Sequence, residues 1–226
     1  GAPEMTEICA SLLAADYACL GEEMKRAEAA GADSFHFDMM DGHYVPNLAL
    51  TPDHLKALRP YSHLPFHAHL ELNNPDDVFF KFEPIQADTA IVQWKTLSDP
   101  PRVIKRIQSQ AMKAGLGFGP DDPLDEASRF FREVDLILIL GVHPGFGGQS
   151  MLSGTHEKII FARHMADQAN HQIRIAVDGG VKPENAAGLV KAGADILIMG
   201  TALFQSVDMA ETIRSIRESI VASPRR

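Results

Sequence analysis

A closed (β/α)8 barrel, a single α/β domain over residues 5–226, is the fold this 226-residue sequence predicts. Three observations carry the prediction. Eight short apolar runs of strand length alternate with amphipathic stretches of helical period from one end to the other. The spacing averages about 28 residues per unit, close to the least such a barrel uses. The first run ends in Ser11-Leu12-Leu13-Ala14-Ala15-Asp16. An open doubly wound sheet would usually begin with a glycine-rich turn at that point.

The elements follow in order. Ile8 to Leu13 is the first strand-like run. A helix over about 16–30 comes next, with Leu20, Met24 and Ala27 on one face, and it stops at Gly31 within Ala30-Gly31-Ala32-Asp33. In Ser34-Phe35-His36-Phe37-Asp38 the alternation sets Phe35 and Phe37 on one side, His36 and Asp38 on the other. Further strands are expected at 64–70, 89–93, 113–118, 136–140, 173–177 and 196–199, and helices at about 52–59, 75–83, 100–112, 123–132, 151–170, 183–192 and 206–221. Ala192-Gly193-Ala194-Asp195 repeats the helix stop of residues 30–33. Residues 1–4, ahead of Met5, read as a tag remnant or disordered N-terminus and are set aside.

Composition narrows the function. With 45% hydrophobic and 23% charged residues the chain has material for a sizeable core. Thirty acidic against 21 basic residues, a net charge of −9, argues against a nucleic-acid partner, which needs cations for its phosphates. Two cysteines, Cys9 and Cys19, are too few for a disulfide scaffold and point to a reducing compartment. No apolar run approaches the roughly 18 residues of a membrane span, and no secretory signal opens the chain. The expected setting is cytoplasmic.

A barrel carries its chemistry at the C-terminal ends of its strands. There the sequence offers Ser11, then His36 and Asp38 with the loop 39–47, then His67, His69 and Glu71, and finally Asp178. Imidazoles and carboxylates converging on the mouth from several strands make a competent site for Zn²⁺, Mn²⁺ or Fe²⁺. Glycine turns follow the sixth, seventh and eighth strands: Gly145-Phe146-Gly147-Gly148-Gln149, Gly179-Gly180 and Gly200-Thr201. Consecutive amides in such turns cradle an anion, so the three together suggest a phosphorylated substrate.

The segments Ser11 to Asp16, His36-Phe37-Asp38-Met39-Met40-Asp41-Gly42-His43-Tyr44-Val45-Pro46-Asn47, His69-Leu70, His143-Pro144-Gly145-Phe146-Gly147-Gly148-Gln149, Val177-Asp178-Gly179-Gly180-Val181 and Gly193-Ala194-Asp195 stand in one order along nearly the whole chain. In them the sequence resembles the ribulose-phosphate 3-epimerase family. The resemblance implies a TIM barrel that epimerises C3 of a ketose phosphate, with D-ribulose 5-phosphate and D-xylulose 5-phosphate as the reference pair. It implies one divalent metal, usually zinc, with iron, manganese or cobalt as alternatives, held by His36, Asp38, His69 and Asp178. Asp38 and Asp178 would be the acid/base pair, with Ser11 nearby. Met40 and His69 would contact the substrate, and Gly145, Phe146, Gly147, Gly148, Gly179, Gly180, Gly200 and Thr201 would hold its phosphate. A homo-oligomer, dimer or hexamer, is implied as well.

The sequence departs from the family pattern in three places. Strand three, usually Asp-Val-His-Leu-Met, reads His67-Ala68-His69-Leu70-Glu71. Strand four, usually with a Val-His pair, reads Ile91-Val92-Gln93-Trp94. After strand six, Met-Ser-Val-Asn becomes Leu140-Gly141-Val142-His143. These changes spare the ligands, and they fit either drift or a different sugar such as allulose 6-phosphate. Glu71 is expected either to bond a substrate hydroxyl or to turn to solvent. A non-catalytic sugar-phosphate-binding barrel would not need both Asp38 and Asp178. A decarboxylase or aldolase would lean on a strand-end lysine, for which Lys95, the nearest candidate, reads as a surface residue.

Overall fold

In parallel strands buried on both faces the outward side chains must all be apolar. Here those outward residues, Phe35, Phe37, Phe66, Leu70, Leu116, Ile139 and Val177 among them, pack under the helices in one continuous core. The computed structural model describes residues 5–81, 84–169 and 172–223. Its strands are β1 (Glu7–Ser11), β2 (Ser34–Met40), β3 (Phe66–Glu71), β4 (Thr89–Gln93), β5 (Lys113–Phe118), β6 (Leu136–Leu140), β7 (Arg174–Asp178) and β8 (Ile196–Met199). Each runs parallel to its neighbours, and β8 returns to β1 from Glu7↔Ile196 to Ala10↔Met199, so the barrel closes. Its interior is filled by Cys9, Ile91, Leu136, Leu138, Leu140, Ala176, Ile196 and Ile198. The polar side chains of β2 and β3 interrupt that filling, and they mark the site.

The helices are α1 (Leu20–Ala30), α2 (Pro52–Leu58), α3 (Pro75–Lys81), α4 (Pro100–Ser109), α5 (Thr155–Gln168), α6 (Pro183–Ala192), α7 (Thr201–Phe204) and α8 (Met209–Ala222). Proline in the first turn of α2, α4 and α6 costs no hydrogen bond, because that amide has no helical acceptor. Gly31 and Gly193 end α1 and α6 at φ 106° and 128°, which a side chain would resist.

Three expectations shift. The first apolar run leaves the strand at Ser11; Leu12 to Ala14 turn as a 3-10 helix, and Leu12 stays apolar because it is still core. The helix expected at 123–132 is a 3-10 stretch, Asp125–Glu133. Its buried residues, Ala127 and Phe131, are four apart as in an α-helix, so the apolar pattern does not separate the two forms. The helix expected from 151 begins at Thr155, behind Gly154 at φ 88°. Residues 1–4 and the ends of the helices expected at 75–83 and 151–170 lie outside the described residues.

An aspartate precedes each even-numbered strand and clamps the strand before it. Asp33 accepts from the Ile8 amide at 2.7 Å while its own amide donates to the Ile8 carbonyl at 2.8 Å. Asp88 treats Phe66 the same way (2.8 and 2.9 Å), Asp135 treats Ala114 (3.0 and 2.8 Å), and Asp195 treats Ile175 (2.8 and 2.7 Å). Each clamp satisfies an amide at the foot of an odd strand with a charge-assisted bond.

Candidate active site

At the C-terminal ends of β2, β3 and β7 four side chains turn inward onto one point. His36 Nε2 lies 3.3 Å from Asp38 Oδ1, 3.4 Å from Asp178 Oδ2 and 3.2 Å from His69 Nδ1. His69 Nδ1 in turn lies 3.3 Å from Asp38 Oδ1 and 3.9 Å from Asp178 Oδ2. All four donors fall within 4.8 Å of one another. Ser11 Oγ, at the end of β1, donates to Asp38 Oδ2 at 3.2 Å. Two imidazole nitrogens and two carboxylates face each other here in a buried place, and such a set is favourable only around protons or a cation. Two nitrogens and two oxygens suit a borderline divalent ion, so the residues fit a metal centre.

The charges divide unequally. Burial raises the Asp38 carboxyl, but attraction to His36 and hydrogen bonds from both imidazoles bring it well below the usual carboxylate range. Burial raises Asp178, and Asp38 beside it keeps it raised against the pull of His36. Burial would neutralise His69, yet Glu71, Asp38 and Asp178 carry it up to about 10.

Above this cluster opens a cavity of about 380 Å³, the size of a small-ligand site. Ser11, Asp38, Met40, Glu71 and Asp178 line it together with Gly145 to Gly148, Gly179, Gly180, Gly200 and Thr201. The carboxylates and the glycine turns therefore share one space. Asp178 presents an 18% exposed side chain to it. The Gly179 amide is taken up by the Asp178 carboxylate. His69, expected to touch the substrate, lies fully buried beneath the wall. Lys182, which the sequence did not single out, stands exposed at the rim, and Lys95 is exposed in the turn after β4.

One strand-three expectation is corrected, and one of the two alternatives for Glu71 falls away. His67 is not at the mouth. Two residues back along β3 it faces the opposite end of the barrel, where its Nε2 lies 3.4 Å from Glu7 Oε1. Ser34 and Arg174 also bond Glu7 there. Cys9 is close by, but burial pushes its thiol well up, and Glu7 is already matched by Arg174, so the group reads as an ion-pair network. Nor does Glu71 turn to solvent: it is 2% exposed, with Oε1 3.5 Å from His69 Nδ1. Burial raises its carboxyl, His69 draws it down, and repulsion from Asp38 and Asp178 leaves it well above the ordinary value.

His67 gives the fold an acid-sensitive foot. Burial outweighs attraction to Glu7 and lowers its pKa from 6.5 to about 4. As pH falls the unfolded chain takes the proton first, so this stability is complete above pH 6.5 and is lost between there and pH 4. The loss is on the order of 3 kcal/mol. Urea unfolding of wild type and His67→Gln across that range reads it; the variant should lack this segment of the pH dependence.

Comparison with known proteins points the same way. Residues 7–204 match the model of the ribulose-phosphate 3 epimerase family. The ribulose-phosphate 3-epimerase of Bacillus subtilis is 38% identical over 216 residues, 95% of this chain and 100% of that protein. The enzyme of the same name from Escherichia coli is 38% identical over 214 residues, 94% of this chain and 95% of that one. Among solved structures, 3-hexulose-6-phosphate synthase from Salmonella typhimurium covers 97% of this chain and 100% of its own, with a TM-score of 0.66 at 16% identity, a likeness of fold alone.

Proposed function

Since this chain belongs to the ribulose-phosphate 3-epimerase family and is a ketose-phosphate epimerase, an isomerase, we propose that it interconverts D-ribulose 5-phosphate and D-xylulose 5-phosphate by proton transfer between Asp38, Asp178 and C3. The observation that carries the reading is that these two carboxyls, on strands separated by β1 and β8, face one cavity beside a cluster of imidazoles.

Inversion requires one group to take the C3 proton and another to return a proton to the opposite face. Asp38, held ionised by its imidazoles, is the ready base in one direction. Asp178, raised and open to the cavity, is the ready acid, and the roles exchange in the other direction. Ser11 fixes the second oxygen of Asp38. His36, Asp38, His69 and Asp178 would hold a divalent ion, which would supply Lewis-acid stabilisation of the negative charge developing on the ketone oxygen. Met40 walls the reacting end. The amides of 145–148, Gly180 and 200–201 hold the phosphate, so that binding energy from the tail positions C3. Free thiols at Cys9 and Cys19 suit a reducing cytoplasm.

The phosphate grip has a clean probe in Gly147. A methyl group there meets only Thr201 Oγ1, at an ordinary 3.7 Å, and its φ is not in the left-handed region. Gly147→Ala should therefore fold with an unchanged melting temperature. Blocking one charge-assisted amide contact should raise KM about tenfold. An unchanged KM would move the phosphate elsewhere.

A second reading, the same chemistry on a larger sugar such as allulose 6-phosphate, is favoured by Glu71. It lines the cavity where the family usually has methionine, and its raised carboxyl can donate to a substrate hydroxyl. Epimerase assays on a panel of ketose phosphates, with and without added metal, test both. Preference for the pentulose phosphates, unaltered in Glu71→Met, supports the first reading. A preference for a hexulose phosphate that Glu71→Met reverses supports the second.

A further inference from the structure

We propose that Gln93 is a positioning residue of the metal centre: it fixes the tautomer of His69, so that Nδ1 rather than Nε2 offers its lone pair to the ion. The inference rests on the metal reading above and goes beyond the four ligands themselves. It also gives a role to the place where strand four departs from the family pattern.

The geometry has three parts. His69 Nε2 lies 2.8 Å from Gln93 Oε1, and both side chains are fully buried. A carboxamide oxygen only accepts, so His69 Nε2 must carry the hydrogen. The other nitrogen, Nδ1, is the one that meets His36, Asp38 and Asp178. A neutral imidazole protonated at Nε2 has its lone pair at Nδ1, which is what a metal ligand requires. The other end of the Gln93 amide is tied as well, its Nε2 donating to Tyr44 Oη at 3.1 Å. If the amide turned over, it would present N–H to His69, draw the hydrogen to Nδ1 and remove the lone pair from the cluster.

Room for the carboxamide comes from β5. A Cβ at Gly117 would stand 2.0 Å from Gln93 Oε1 and 3.5 Å from His69 Nε2. The bare backbone of Gly117 is therefore part of the same device. Tyr44 belongs to the segment that joins β2 to α2, so the β2 side of the mouth and the interior of β4 meet at one amide.

The test uses the full chain, freed of metal and titrated with Co²⁺ against a competing chelator. Its readouts are Co²⁺ affinity, the visible Co²⁺ spectrum and the ¹⁵N signals of the His69 ring. Gln93→Leu removes the acceptor, and its Co²⁺ affinity should fall at least about tenfold, the lower end for losing an outer partner of a metal histidine. Gln93→Glu keeps an acceptor at the same place. Its affinity should stay within about threefold of wild type or rise, with His69 still protonated at Nε2. Rescue by Glu but not by Leu separates positioning from packing, since both variants change the packing. Wild-type affinity in Gln93→Leu, even with a lowered melting temperature, overturns the role of Gln93. Should Gln93→Leu not fold, a tenfold weakening in Gln93→Glu, or a neutral His69 in the wild type that carries its hydrogen on Nδ1 and not on Nε2, overturns it equally. A wild-type protein that takes up no Co²⁺ overturns instead the metal reading on which the inference rests.

Discussion

Asp178→Asn and Asp38→Asn should each lower turnover by at least about a hundredfold, the smaller end of what a positioned acid or base contributes. Asparagine keeps the size and one oxygen of the side chain but cannot take a proton. The two variants should differ in a way the site explains. Asp178 meets His36 at 3.4 Å and His69 at 3.9 Å on one side and opens to the cavity on the other, so its amide should disturb the cluster less than one at Asp38. Asp38 serves Ser11, His36 and His69 at once, and an amide there turns an N–H toward one of them. That variant should also bind metal more weakly. A finer readout is solvent exchange. With one base intact, one epimer should still exchange its C3 hydrogen with D₂O while failing to invert. Turnover within threefold of wild type, metal bound, would remove the residue from proton transfer.

Removing the metal should have the larger effect, about a thousandfold, since Lewis-acid stabilisation of the developing charge is worth several kcal/mol. Activity should return on adding a divalent ion and not on adding Na⁺. The ion should also raise thermal stability, because the four donors assemble only in the fold. At a free concentration one hundred times its Kd the gain is about 2.7 kcal/mol. Anomalous scattering should place the ion among His36, Asp38, His69 and Asp178. Full activity in protein carrying under a tenth of an ion per chain, or an ion on His67, would overturn the assignment.

The barrel was legible because parallel strands repeat one signal eight times, and the helix stops at Gly31 and Gly193 repeat it again. Residues at strand ends were legible as a class for the same reason. Their depth was not. His67 and His69 share a face of β3, and period two cannot tell the mouth of a barrel from its foot. The contacts make that distinction: His67 meets Glu7, the first residue of β1, whereas His69 meets Asp38. Gln93 stands out in the sequence as a departure, but its meaning depends on Tyr44, 49 positions earlier, and on the missing side chain at Gly117. No local pattern encodes either. The 3-10 form of 125–133 escaped because its buried pair keeps α-helical spacing.

The aspartate clamps group the strands two by two: β1 with β2, β3 with β4, β5 with β6 and β7 with β8. The molecule can thus be counted in quarters as well as eighths, and the seams between quarters carry none of these clamps. New chain ends opened at a seam, with the original termini joined, should be accepted far more readily than ends opened inside a quarter, where a clamp would then span the break. The quarters are also unequal in what they contribute. The first brings His36 and Asp38, the second His69 and the fourth Asp178, while the third supplies none of the four donors. That third quarter is where a transplanted segment from another barrel would disturb the four donors least, provided it still offers a bare backbone at Gly117 and keeps the 145–148 turn after β6.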